Sequence, residues 1–309
     1  MRTIFVAFIL FLPFTFFTAQ SQGMKSALQS EYDLTAKYKV GDIDFYRLRS
    51  LYLEMSDSGW VKTSTLLEGY YQREVVAVDS TEHTDRFIWK GVRVSERQGR
   101  GEFSDFSVLH YSKGYQSQFS VREISSEHFP ADITSIPKTP QGFQFFVKLV
   151  DASTFDIIRQ FESYGKPLTR IDQATSIPAE DLQGIIDFPP LYTNTRFQHS
   201  ATIVIFRGIT ITNGIPCAII EFREDNSHIH MTMNMMKMEF PSDGTSYYWG
   251  TILLSLETGK IVNATLLENV ITMINLSPIA PPTRSLVRRE LTLETLDRRS
   301  YEGIEIETK

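Results

Sequence analysis

The chain of 309 residues contains a single cysteine, Cys217, so no disulfide can form within it. Small scaffolds stapled by bridges are thereby excluded, and stability has to come from a buried apolar core. Cys217 itself lies in an apolar stretch with no cation beside it, which predicts an inert buried thiol. The sequence also has no GxGxxG, no Walker loop, no GxSxG elbow, no HExxH and no CxxC. Rossmann cofactors, P-loop chemistry, elbow-type serine hydrolysis, zincin chemistry and thioredoxin-like redox work therefore fall behind other readings, and no cofactor is expected. Enzymes built on two carboxylates escape this filter, because their acids meet only in the fold.

Positive charge is scarce: 31 Lys and Arg stand against 37 Asp and Glu, a net charge of −6 that becomes −7 without Arg2. A mildly acidic surface repels phosphate backbones and anionic bilayers, so nucleic acid is not an expected partner. The densest basic patch, Arg284, Arg288 and Arg289, is followed by Glu290 and Glu294 and reads as a solvated strand face.

Long hydrophobic runs are equally rare. The main one, residues 4–17, follows Arg2, contains Pro13 and precedes the small residues Thr18, Ala19 and Ser21. It is too short to cross a bilayer and has the layout of a secretion signal over residues 1–21. No later segment has the length of a transmembrane helix. No cysteine stands just after the run, so a lipid anchor there is not expected. The sequence-level destination is secreted or periplasmic, and a large secreted chain without disulfides fits a bacterium.

What the chain does have is 42% hydrophobic residues and 12% aromatics, enough for a substantial core. Extended runs at 201–212, 215–223, 228–240, 245–256 and 260–273 are joined by Asn213-Gly214, residues 224–227, Ser242-Asp243-Gly244 and Thr258-Gly259. Such spacing predicts an antiparallel meander. Runs at 61–67, 70–78, 86–94, 103–111 and 116–123 predict a second one, and residues 285–296 predict an edge strand. Between them, Pro130, Pro137 and Pro140 break the chain, residues 143–150 read as an apolar strand, and short helices are expected at 155–163 and 179–186. The fold class is mainly β: antiparallel meanders forming a curved half-barrel or two sheets, with a few short helices in the middle third. The expected divisions are 22–123, an αβ connector at 124–197, and 198–309.

Two clusters stand out as sites. Met231, Met233 and Met235 share a strand face with Ile229, where β-branched residues are the usual choice, and soft thioethers suit the lining of an apolar cavity. Tyr247 and Trp249 add aromatics nearby, and Phe155 and Ile158 supply apolar helix positions. Separately, His228 and His230 lie two apart on a strand, where His199 or Glu221 from a neighbour would complete a metal or hydrolytic site.

The rhythm of Phe188-Pro189-Pro190, Asn213-Gly214-Ile215-Pro216, Trp249-Gly250-Thr251-Ile252 and Leu256-Glu257-Thr258-Gly259 resembles that of uncharacterised secreted bacterial β proteins. More distantly it resembles the periplasmic lipoprotein-carrier fold. That resemblance implies a curved sheet around an apolar cavity that carries acyl chains, with residues 155–163 and 179–186 as its lid. The function expected is non-catalytic binding of an apolar or lipid-like ligand, or of an envelope protein. A His/carboxylate hydrolase and an interaction module without a small-molecule site are the alternatives.

Overall fold

The computed structural model describes residues 31–79, 83–120, 133–159, 161, 167–179, 184–185, 187–235 and 238–306. The strands are β1 (Ile43–Met55), β2 (Val61–Val78), β3 (His83–Gln98), β4 (Ser107–Leu109), β5 (Gln116–Ser120), β6 (Ala174–Ile177), β7 (Gly184–Ile185), β8 (Tyr192–Gln198), β9 (Thr202–Thr212), β10 (Ile215–Met235), β11 (Met238–Ser255), β12 (Ile261–Ile274) and β13 (Thr283–Leu296). The helices are α1 (Pro140–Arg159) and α2 (Arg298–Glu302). All thirteen strands join one open, curved antiparallel sheet, in the order β4-β3-β2-β1-β13-β12-β11-β10-β8-β7. On the wings β5 pairs with β3, and β9 pairs with β10 and β6.

Two meanders meet at a seam. β1–β3 and β10–β13 are each built of consecutive hairpins, and β1 pairs with β13 from Phe45↔Leu296 to Met55↔Leu286. The inner face carries the core, with Leu48, Tyr71, Trp89, Leu291, Ile252 and Phe222 all buried. Two glycines on that face make room for rings. A Cβ on Gly69 would lie 2.6 Å from the Trp89 ring, and one on Gly250 would lie 2.6 Å from the Phe222 ring.

Helix α1 fills the trough. Thr139 caps its start, with the Gly142 N–H donating to Thr139 Oγ1 at 3.2 Å, and Pro140 occupies the first helical position. Twelve of its 20 residues are buried, far more than the single stripe of a surface helix, so the helix is sunk into the sheet rather than laid on it. Phe145 meets Trp89 edge-on at 5.6 Å, Phe146 stacks on Phe188 at 5.1 Å, and Phe155 approaches Phe222 at 6.5 Å. One helix thus ties both wings together. On the outer face α2 adds a small satellite core of Tyr301 with Tyr70, Val108 and Ile306.

Several expectations are corrected. Residues 143–150 are helical, not a strand, and belong with Phe155 and Ile158 to the one helix α1, which ends at Arg159 within the described residues. Of the helix expected at 179–186, residues 180–183 and 186 lie outside the described residues, and Gly184–Ile185 forms β7. β13 is no edge strand, since β1 and β12 flank it. The joins expected at residues 224–227 and 242–244 lie inside β10 and β11; the first is a bulge and the second is regular ladder. Likewise β2 runs unbroken through Gly69, and most of residues 103–111 is loop or 3₁₀ turn around β4.

The fully buried Phe155 ring gives a direct test of the helix as the core's keystone. Phe155→Ala is expected to cost about 3–5 kcal/mol in urea unfolding, because the trough walls cannot close over the void.

Candidate functional site

Cross-strand register lines up a polar row on the inner face, perpendicular to the strands. Glu96 of β3 opposes Thr65, which opposes Tyr52, then Arg289, Glu268, Tyr248 and Glu224 of β10. Each of seven adjacent strands contributes one residue. Helix α1 meets the middle of this row with two charged side chains, Asp151 (fully buried) and Lys148. Asp151 accepts from Arg289 Nη1 at 2.5 Å, from Ser50 Oγ at 2.7 Å and from Tyr52 Oη at 3.3 Å. Lys148 donates to Ser50 and lies 3.7 Å from Asp151. Arg289 also pairs with Glu268 at 2.7 Å, and Ser246 Oγ donates to Glu268 at 2.5 Å.

Burial in this cluster penalises charge, and neighbours decide who keeps it. For Lys148, desolvation outweighs the attraction of Asp151 and, with Arg289 adding repulsion, brings its pKa down to about 8. For Arg289 the balance is reversed: burial opposes the charge, but Glu268 and Asp151 prevail and its pKa rises. The basic patch read from sequence as solvated is therefore split, with Arg289 turned inward into this network.

At the β10 end Glu224 is buried and accepts from the Ser200 N–H at 2.9 Å and Thr202 Oγ1 at 2.9 Å, as well as from Tyr248 and Ser227. His199 Nδ1 lies 3.1 Å away. Burial raises the carboxyl's pKa, yet His199 and the hydroxyl donors outweigh it and hold the pKa below the usual value.

The row divides the inner face. On one side the next residues are Val94, Leu67, Ser50, Leu291, Leu266, Gly250 and Phe222, covered by α1. On the other side the covering thins over β12 and β13. From Leu267 to Thr272 in β12 and from Ser285 to Glu290 in β13, residues of both faces are half-buried, so neither face is sealed. The inner positions there are Val270, Thr272 and Ile274 on β12 and Val287 on β13. β11 contributes the small residues Ser246, Gly244 and Ser242, and β10 contributes Ile229, Met231 and Met233. Ser242 and Ser246 of β11 and Ile229 of β10 are buried, so the half-buried inner positions are those of β12 and β13 together with Met231 and Met233.

The residues singled out from sequence separate. Met231 and Met233 are half-buried on the inner face; the Met235 side chain lies outside the described residues. Phe155 and Ile158 lie on α1 and are sealed in the core. Tyr247 and Trp249 lie on the outer face, 40% and 41% exposed. His228 and His230 are exposed on the opposite face of β10 from the methionines, with His230 Nδ1 2.6 Å from Asp243. Glu221 pairs with Arg207 at 2.8 Å, whereas His199 turns to Glu224. Among the described residues no group of three or more His, Cys, Asp or Glu is placed to hold a metal ion. The row itself was missed, although Arg289 shares strand parity with Leu291 and Leu293.

Removing Lys148 and removing Arg289 should differ in effect. Lys148→Met leaves Asp151 still paired with Arg289 and is expected to change stability by less than about 1 kcal/mol or to raise it; Arg289→Met strands Asp151 and Glu268 and should cost about 3–5 kcal/mol. Between about pH 8 and 10 the unfolded chain holds a proton on Lys148 that the folded chain has released. Stability should therefore rise with pH across that window in the wild type, and the slope should flatten in Lys148→Met, as measured by urea titration at fixed pH steps.

No protein-family model and no curated protein matches the sequence. Among solved structures the chain has a weak likeness to lipovitellin, in a structure concerned with its lipid–protein interactions, at 11% identity and a TM-score of 0.45 over 84% of this chain. It spans 25% of that chain, about a quarter of its length. Outer-membrane proteins are similar at a lower level. The Salmonella typhi OmpF complex with daunomycin has 7% identity and a TM-score of 0.20, covering 85% of this chain and 100% of that one. OmpT of Vibrio cholerae has 8% identity and a TM-score of 0.15, covering 84% and 100%.

Proposed function

We propose that this protein binds an apolar, lipid-like ligand on the inner face of its sheet, over the half-buried stretch of β12 and β13 beyond the polar row, and that it does so without catalysis. The observation that supports this is the unsealed stretch of β12 and β13, where Val270, Ile274 and Val287 remain half-buried on the face that elsewhere forms the core. Apolar surface left incompletely covered beside a filled core gains free energy by burying a hydrocarbon, at about 25 cal/mol per Å². Met231 and Met233 fit the same role, since flexible thioethers adapt to chains of differing shape. The polar row marks where the half-buried apolar stretch ends and the helix-filled core begins.

The N-terminal apolar run supports a secreted or periplasmic setting for this activity. An envelope protein that delivers or receives the ligand is the corresponding partner. Among the described residues no helix is long and apolar enough to cross a membrane.

The protein purified from its own source is expected to carry a lipid detectable by native mass spectrometry and organic extraction. Val270→Glu places a charge where the hydrocarbon would lie and should lower occupancy roughly tenfold or more, with unchanged circular dichroism. An unliganded mass at saturating fatty acid or monoacylglycerol would overturn the proposal.

A further inference from the structure

The two ends of the sheet differ. At the helix-filled end the N-terminal segment crosses the turn between β11 and β12: the Lys37 N–H donates to Thr258 O at 2.8 Å, and Tyr32 and Leu34 of the segment are buried. That end also carries the exposed charges Lys37, Lys39 and Glu257. At the opposite end, beyond the polar row, three connections lie side by side along the rim. They are residues 99–106 between β3 and β4, 56–60 between β1 and β2, and 275–282 between β12 and β13. Neighbouring connections are two strand spacings, or about 10 Å, apart.

The third connection is built to leave water. Residues 275–282 contain no charged side chain; Ile279 among them is 56% exposed, and Pro278, Pro281 and Pro282 are exposed as well. The prolines have no N–H. The Ile279 and Ala280 N–H groups both donate to Leu276 O, at 2.8 and 3.2 Å, Asn275 N–H donates to Pro241 O at 2.9 Å, and Ser277 N–H donates to Asn275 Oδ1 at 3.1 Å. Seven of the eight residues therefore bring no free backbone donor, which removes the main cost of placing an irregular loop in an apolar layer.

Next along the rim, Trp60 is 60% exposed on a tight turn, where the Ser56 N–H donates to Trp60 O at 2.8 Å and the Trp60 N–H to Ser56 Oγ at 3.1 Å. Arg100 of the adjoining connection lies over its ring at 4.5 Å. An exposed indole backed by a guanidinium has an apolar body and a polar flank, a combination suited to the boundary between lipid headgroups and acyl chains. Charge on the rim selects among lipids. Asp57, Glu102 and Asp105 outnumber Arg100 on the two charged connections, so anionic headgroups are disfavoured.

We propose that this rim docks on a zwitterionic phospholipid surface, with residues 275–282 entering the interface at Ile279 and Trp60 anchoring beside them. The half-buried stretch of β12 and β13 runs to the same rim. Docking rests on the loops alone and holds whether or not that stretch carries a ligand.

Flotation of the full chain with phosphatidylcholine vesicles tests the proposal, together with the protein's own tryptophans. Ile279→Asp should lower vesicle binding roughly tenfold or more, because the exposed position leaves folding untouched while a charge must now enter the interface. Ile211→Asp, at an exposed position on the opposite rim, should bind as the wild type does. The apolar run at residues 4–17 is present in every variant, so differences between variants report on the rim. The three tryptophans are Trp60, Trp89 and Trp249, and Trp89 is buried. In Trp249→Phe, emission from Trp60 should shift to the blue on docking and be quenched by brominated phosphatidylcholine; in Trp60→Phe, emission from Trp249 on the outer face should be unchanged. Val270→Glu should leave flotation unchanged, so this proposal and the ligand reading fail separately. No flotation with phosphatidylcholine, binding confined to phosphatidylglycerol vesicles and abolished by salt, quenching of Trp249 in place of Trp60, or equal binding by Ile279→Asp would each overturn it.

Discussion

Asp151 is the point on which the fold turns. A carboxylate on a helix with no access to water is costly unless every lone pair is met, and here β1 supplies Ser50 and Tyr52 while β13 supplies Arg289. Those two strands are the seam between the meanders. The helix is thus fastened to the sheet at the one place where its two halves could separate, by an interaction that specifies position as well as contributing energy. Apolar packing alone would leave α1 free to slide along the trough. The Asp151–Arg289 contact and the buried Asp156–Arg73 pair at 2.8 Å together set its register.

The same contact decides where the core ends. Arg289 reaches Asp151 on one side and Glu268 on the other, and Glu268 continues the row to Tyr248 and Glu224. Charged groups that are satisfied within the protein form a boundary that a hydrocarbon gains nothing by crossing. A sheet with one continuous inner face therefore acquires two regions: one filled by its own helix, and one where β12 and β13 keep half-buried apolar positions. In the proposed reading the helix substitutes, over half the trough, for what a ligand does over the other half.

Much of this architecture could be read from residue order. Alternation and Gly/Asn turns gave the antiparallel class, and turns such as Asn213-Gly214 and Thr258-Gly259 fall between strands. The helix was harder. Its first half, with Phe143, Phe145, Phe146 and Val147, has the continuous apolar character that strands and buried helices share, and Pro140 reads as a breaker unless Thr139 before it is recognised as a cap. The polar runs at residues 224–227 and 242–244 look like turns because exposed bulge and ladder positions use the same residues. For the site, strand parity placed Met231 and Met233 with Ile229 correctly. It also held the information that Arg289 shares a face with Leu291, but charge argued for solvent, and only a partner from a distant helix resolves that conflict.

The central claim is that ligand and helix occupy separate compartments on either side of the polar row. Hydrogen–deuterium exchange with and without a bound fatty acid measures this most directly. The account predicts that protection increases in the distal halves of β11, β12 and β13, beyond Ser246, Glu268 and Arg289, while α1 exchanges as slowly as before. Faster exchange in α1 on binding would contradict it, because the helix would then be a lid displaced by the ligand and the row would not be a boundary.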